Sequence, residues 1–123
     1  MMKKLNEQEL HNTAMEVVGK ALEKDGFEFM TVNSQLKKDP QFVCLKDKKL
    51  HFIIVRAVKY PINPIDYDGI LMEKVRSHAE KFEARTYYAG VGLAHGEDYN
   101  LPIRKDAPMA INYQGLQEIT INE

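Results

Sequence analysis

PQFVCLKDKKLHFIIVRAVKY, residues 40–60, is the stretch that decides how this chain folds. A short apolar run at 42–46 and a longer one at 50–58 are separated by Asp47, Lys48 and Lys49, so the stretch reads as two strands joined by a tight charged turn. In the second strand Phe52, Ile54 and Arg56 share one face while Ile53, Val55 and Ala57 share the other, because strand side chains alternate with period two. Both faces are largely apolar. That pattern belongs to a central strand covered on each side.

Working outward, residues 7–24 place Leu10, Ala14, Val17, Val18, Ala21 and Leu22 on one face at the period of a helix. Asn6 stands at the cap with Glu9 three residues on, as in a capping box. Leu5 and Leu10 have the spacing of a hydrophobic staple, and Gly26 supplies the stop. FEFMTVN at 27–33 follows as a strand, and the proline-containing SQLKKDPQ separates it from the hairpin. YPINPIDYDG, after the hairpin, is a loop, or a loop with one helical turn opened by Asn63 and Pro64.

A second helix is expected over 70–84, with Leu71, Val75, His78, Ala79 and Phe82 as its buried stripe. TYYAGVGLAH at 86–95 is a fourth strand, and the small residues Gly90, Gly92 and Ala94 on one face invite the backbone of a helix. MAINYQG and LQEITIN then form one or two edge strands after a polar loop. The order predicts an α/β (α+β) fold, a mixed central sheet with helices on both faces and a short β extension.

With 123 residues, 44% of them hydrophobic, the chain suffices for one cored domain, expected to span 1–123. Lys and Arg total 17 against 18 acidic residues, so the net charge of -1 exerts no global pull on nucleic acid, membranes or acidic ligands. Cys44 is the only cysteine and lies in an apolar strand, which excludes an intrachain disulfide and a cysteine zinc cage and marks an inert thiol. The N-terminal residues lack an apolar signal core and no run is long enough to span a bilayer, so a cytoplasmic protein is expected.

Three segments in this order, HNTAMEVVGKALEKDGFEF, DPQFVCLKDKKLHFIIVRAVKY and MEKVRSHAEKFEARTYYAGVGLAH, resemble the restriction-endonuclease-like (PD-(D/E)XK) superfamily, with a core similar to that of the Holliday junction resolvases. The likeness covers roughly residues 8–95. It implies an α-β-β-β-α-β core and, in active members, two carboxylates that hold a divalent cation, with a lysine that positions the attacking water. Laid on this chain, the resemblance puts Gln41 where the first carboxylate belongs, Ile54 at the second and Arg56 at the lysine. An amide, a branched alkyl group and a permanent cation make no metal site in this register, so neither a metal nor another cofactor is expected.

A regrouped site would need Asp39 with Glu16 and either Asp66 or Asp68. Helical projection instead sets Glu16 on the water face beside Glu9, Asn12 and Glu23. Arg56 and Lys59 suit a phosphate or carboxylate; alternatively Arg56 pairs internally with Asp39 and ties the sheet end together. Lys37, Lys38, Lys46, Lys48 and Lys49 are the one basic concentration, a candidate track for nucleic-acid phosphates. His11, His51, His78 and His95 lack metal-ligand spacing; His78 is expected half-buried and hydrogen-bonded, and His95, Glu97 and Asp98 read equally as a cation-binding cluster or as turn chemistry. The tyrosines read as packing with the hydroxyl at the rim.

The function expected from these residues is binding or scaffolding on a degenerate nuclease fold, with a second copy of the chain covering a sheet edge. The alternatives are a metal-dependent nuclease with the rearranged carboxylates and a non-catalytic nucleic-acid-binding module.

Overall fold

The computed structural model describes residues 4–120. Helix α1 (Glu7–Lys24) opens where Asn6 Oδ1 accepts from the Glu9 N–H at 2.8 Å and Glu9 Oε1 accepts from the Asn6 N–H at 3.1 Å. A cap of this kind contributes about 1 kcal/mol by satisfying N–H groups that the first turn leaves unpaired. At the other end Gly26 adopts φ +87, where a glycine turns the chain out of the helix without a Cβ clash. The buried stripe is Leu10, His11, Ala14, Met15, Val18 and Leu22, with Val17 and Ala21 half-buried beside it.

Strand β1 (Glu28–Val32) pairs antiparallel with β2 (Phe42–Lys46), which pairs antiparallel with β3 (Lys49–Lys59). Strand β1 is shorter than 27–33 because the Phe27 N–H returns to the Leu22 carbonyl and Asn33 starts the next turn by accepting from the Gln35 N–H. The hairpin turn has two residues rather than three. Asp47 and Lys48 sit at φ +53 and +65, the left-handed pair whose twist matches flanking strands, and this places Lys49 in β3 opposite Lys46.

After β3 the chain passes through α2 (Gly69–Glu80) into β4 (Arg85–His95), which lies parallel to β3 from His51↔Arg85 to Lys59↔Leu93. Strands β5 (Met109–Tyr113) and β6 (Gln117–Ile119) run end to end along the far edge of β4, both antiparallel to it. The result is a six-stranded sheet, ordered β1-β2-β3-β4-β5 with β6 beside β4, and its mixed character is what the element order predicts. The end of the expected LQEITIN strand, from residue 121, lies outside the described residues.

The alternation of β3 and β4 separates two cores. Helix α1 packs on Ile53, Val55, Ala89, Val91 and Leu93, while α2 packs through Met72 on Ile54, Tyr88 and Ile119. Helix α2 departs from its predicted phase and length. Met72 and Ala79 are its buried residues, with Leu71 and Val75 half-buried, so the stripe is rotated toward Met72. His78 is therefore exposed, not half-buried, and its ring rests edge-on against Phe82 at 5.2 Å.

The helix stops at Glu80 because Glu83 turns left-handed at φ +56 and the Ala84 N–H reaches back to the Ala79 carbonyl, capping the last turn. The α2 cap is Asp68, whose Oδ1 accepts from the Ile70 and Leu71 N–H groups; Asn63 closes a separate turn in the preceding loop.

What approaches Gly90 and Gly92 is that loop, not a helix. A Cβ at Gly90 would overlap the Pro64 carbonyl oxygen, and one at Gly92 would sit 3.3 Å from the Pro64 ring. Among the described residues no helix is long and apolar enough to cross a membrane. We expect Gly90→Ala to lower the unfolding free energy by about 3 kcal/mol in a urea titration and Gly92→Ala by less than about 1 kcal/mol, because only the former would overlap backbone atoms, whereas the latter meets its neighbours near contact distance. Equal losses would show that the Pro64 segment does not pin β4.

Candidate functional site

Strand β3 outruns its hairpin partner. Its pairing with β2 ends at Ile53, although the strand continues to Lys59, and on that edge the Val55 N–H is left without a ladder partner. The chain reaches β2 through Pro40, which has no N–H to donate, and Gln41, which is fully buried. The Gln41 N–H donates to the Ile53 carbonyl at 3.1 Å. Its side-chain Oε1 accepts from the Val55 N–H at 2.7 Å and so extends the ladder by one rung.

The other half of the amide faces the loop. Gln41 Nε2 donates to Asp39 Oδ1 at 2.9 Å. Arg56 grips the same carboxylate with both ends of its fork, Nη1 to Oδ1 and Nη2 to Oδ2, each at 2.7 Å. Arg56 Nη1 also donates to the Val55 carbonyl at 3.0 Å, closing the circuit. The Asp39 and Arg56 side chains are only 14% and 17% exposed, and a bidentate pair in such surroundings is among the stronger charge-assisted arrangements. Residue type matters here: an amide can accept from Val55 and donate to Asp39, whereas a carboxylate at position 41 would face Asp39 with like charge.

Of the three positions singled out by the resemblance, Gln41 and Arg56 therefore meet, joined through Asp39. Ile54 does not join them. It points to the α2 face, fully buried with Met72, Tyr88 and Ile119. Of the remaining candidates for a carboxylate cluster, Glu16 is on the water face paired with Lys20, Asp66 is exposed, and Asp68 caps α2. Among the described residues no three His, Cys, Asp or Glu side chains are grouped to hold a metal ion.

The lysines are divided as well. Lys46 and Lys48 lie at the hairpin end, with Lys46 Nζ 4.7 Å from the centre of the Phe27 ring, whereas Arg56 and Lys59 lie toward the other end of β3. Strand rise separates Lys49 from Lys59 by about 33 Å. Lys37, at φ +59, falls on the Arg56 side and lines a cavity with Arg56 and Lys59.

Sequence reasoning missed His11. It is fully buried on α1, and among the described residues neither ring nitrogen has a hydrogen-bond partner. Burial, followed by the positive charge of Arg56, pushes its pKa down, and the Asp39 carboxylate pulls it partly back. The signal was available: His11 lies three, seven and eleven residues before Ala14, Val18 and Leu22 of the buried stripe.

The remaining polar candidates are structural. His51 reaches the Lys46 carbonyl at 3.3 Å and packs between Phe27 and Tyr87. His95 Nδ1 accepts from the Glu97 N–H, and Asp98 Oδ1 accepts from the Asn100 N–H, which accounts for that cluster as turns. Burial pushes the Cys44 thiol up to about 11, leaving it protonated and inert at neutral pH.

Burial alone would raise the Asp39 pKa, but the hydrogen bonds from Arg56 and Gln41, with the charge of Arg56 behind them, hold it below the ordinary carboxylate value. Stability from such a group is fully present above the unfolded pKa of about 4 and is lost as pH falls through the folded value. We expect Asp39→Asn to cost about 2 kcal/mol at pH 7 by urea unfolding, less than a fully enclosed pair because both partners keep some solvent. The difference from the parent protein should shrink below about pH 4, and a difference independent of pH would refute the ionic origin.

The family model described as "Domain of unknown function (DUF8840)" matches residues 8–119. No curated protein and no solved structure matches the chain. With the match running from the first turn of α1 to the last residue of β6, the chain belongs to the DUF8840 family.

Proposed function

We propose that this protein is a non-catalytic binding or scaffolding domain of restriction-endonuclease-like fold, in which an internal clamp occupies the place of the nuclease metal site. One observation carries the proposal: both oxygens of Asp39, beside the open end of the hairpin, are held by the Arg56 guanidinium. The residues present do not fit the divalent cation that such a fold implies. Magnesium takes oxygen ligands, carboxylates foremost. Here the Gln41 oxygen is spent on Val55, Ile54 is hydrocarbon, and a cation approaching Asp39 meets the charge of Arg56.

The α-β-β-β-α-β order, with an antiparallel hairpin feeding a parallel β3–α2–β4 unit, supports the fold assignment. A track for nucleic-acid phosphates is disfavoured by the division of the lysines between opposite ends of β3. A cytoplasmic location suits a chain whose lone thiol is buried and unreactive.

The scaffolding part rests on β1. Among the described residues no strand pairs with its outer edge, all five of its residues are exposed, and Phe29, Met30 and Val32 present apolar surface. A second copy pairing antiparallel there would cover that edge and would set Glu28 against Val32 of the other chain rather than against its own charge.

Two measurements test this function. Incubated with plasmid or branched DNA and Mg²⁺ or Mn²⁺, the protein should cleave none of them; cleavage that disappears in Asp39→Ala would overturn the non-catalytic assignment. Light scattering should give twice the chain mass of 14.2 kDa, falling to the single-chain mass for Val32→Pro, which removes an N–H that strand alternation directs to the outer edge. A monomeric parent protein removes the self-pairing edge.

A further inference from the structure

The overhang of β3 beyond its hairpin partner leaves a cavity of about 440 Å³ beside the clamp, a size that takes small organic ligands. One wall is Leu10 of α1 with Leu36 and Lys37 of the loop before β2; the other is Lys59 with Ile62. Ala57 and Leu93 form the floor.

The walls are fixed in place. Gln8 reaches from α1 to both backbone groups of the loop, donating to the Ser34 carbonyl at 2.9 Å and accepting from the Leu36 N–H at 3.1 Å. Across the cavity the Tyr60 N–H donates to the Leu93 carbonyl at 2.9 Å and the Ile62 N–H to the Lys59 carbonyl at 2.9 Å.

The charges are not balanced in the way the clamp is. Arg56 reaches the cavity already paired with Asp39, while among the described residues neither Lys37 nor Lys59 is in an ion pair, and Glu7 is the one acid on the rim. Strand alternation also turns the Ala57 N–H toward this bare edge of β3. Two ammonium groups above a mostly aliphatic chamber complement an anion that carries hydrocarbon. They do not suit a bare inorganic ion, which gains nothing from Leu10, Leu36, Ile62 and Leu93, nor a cation.

We propose that this cavity binds a small amphipathic anion, a single oxyanion head, carboxylate or phosphate monoester, on an apolar body. The head lies between Lys37 and Lys59 and the body lies against Leu10, Leu36 and Leu93. The proposal deepens the binding-domain function above and rests on it by naming the ligand class.

Titration of the ¹⁵N-labelled full chain at low salt with octanoate, octyl phosphate, octylamine, inorganic phosphate and a single-stranded oligonucleotide tests it. Octanoate or octyl phosphate should saturate, with amide shifts centred on residues 36–37, 57–59, 62 and 93, and the tighter of the two identifies the head. Octylamine and inorganic phosphate should not saturate. The double variant Lys37→Gln/Lys59→Gln should bind the anionic probe about tenfold more weakly while keeping the parent spectrum elsewhere. Leu36→Ser, which changes the tail wall without touching charge, should weaken it about fivefold.

No saturation by either anionic octyl probe, equal affinity in the lysine variant, or octylamine binding as well as octanoate would each overturn the proposal. So would tighter binding of the oligonucleotide at the same residues. Failure here without DNA cleavage removes the ligand assignment alone, whereas cleavage removes the non-catalytic function.

Discussion

The unequal length of the two hairpin strands is the constraint from which the rest of this structure follows. Strand β3 has 11 residues and β2 has five, so one edge of a central strand runs on without a neighbour. Bare backbone at the centre of a fold is costly, and each polar group on that edge has to find a partner or reach water. The Gln41 amide, the Arg56 fork and the Asp39 carboxylate serve the first rung beyond the hairpin. The rungs after that border open space, which is why a cavity lies there and not at the blunt hairpin end.

The clamp has a logic that a metal site would not share. A cation held by carboxylates requires acidic groups gathered close together, and that stores mutual repulsion until the ion arrives. Here the fixed cation is Arg56, covalently part of β3, and the carboxylate has already found it. The amide at position 41 carries out two tasks of opposite polarity, accepting from the ladder and donating to the acid. The corner therefore has its polar groups satisfied internally, whereas in the neighbouring cavity Lys37 and Lys59 take part in no ion pair among the described residues.

Much of the architecture was legible in the residues. The Asn6–Glu9 box, the stop at Gly26, the turn after Lys46 and the two-faced apolar character of β3 are local signals, and each appears in the fold where the pattern puts it. The internal pairing of Arg56 with Asp39 was also legible, since a half-buried guanidinium needs an anion, and the structure shows that pair.

What escaped depended on tertiary contact. The face that α2 buries is set by the sheet beneath Met72, and the wide apolar arc of its sequence fits more than one rotation. His11 looked like an ordinary polar residue because a ring closed off on all sides differs from a solvated one only in its neighbours. The basic residues around the hairpin read as one group because they are close in sequence, yet β2 runs between them and sets Lys37 at the opposite end of the hairpin from Lys46, Lys48 and Lys49.

The loop at residues 60–68 has a mechanical meaning. Helix α2, with its 12 residues, rises about 18 Å, roughly half the span of an 11-residue strand, so it roofs only the first part of β4. The remainder is shielded by a stretch without regular hydrogen bonding, laid over glycines that admit no thicker cover. The second half of β4 thus owes its cover on this face to a single pass of loop backbone at Pro64 and not to a helix.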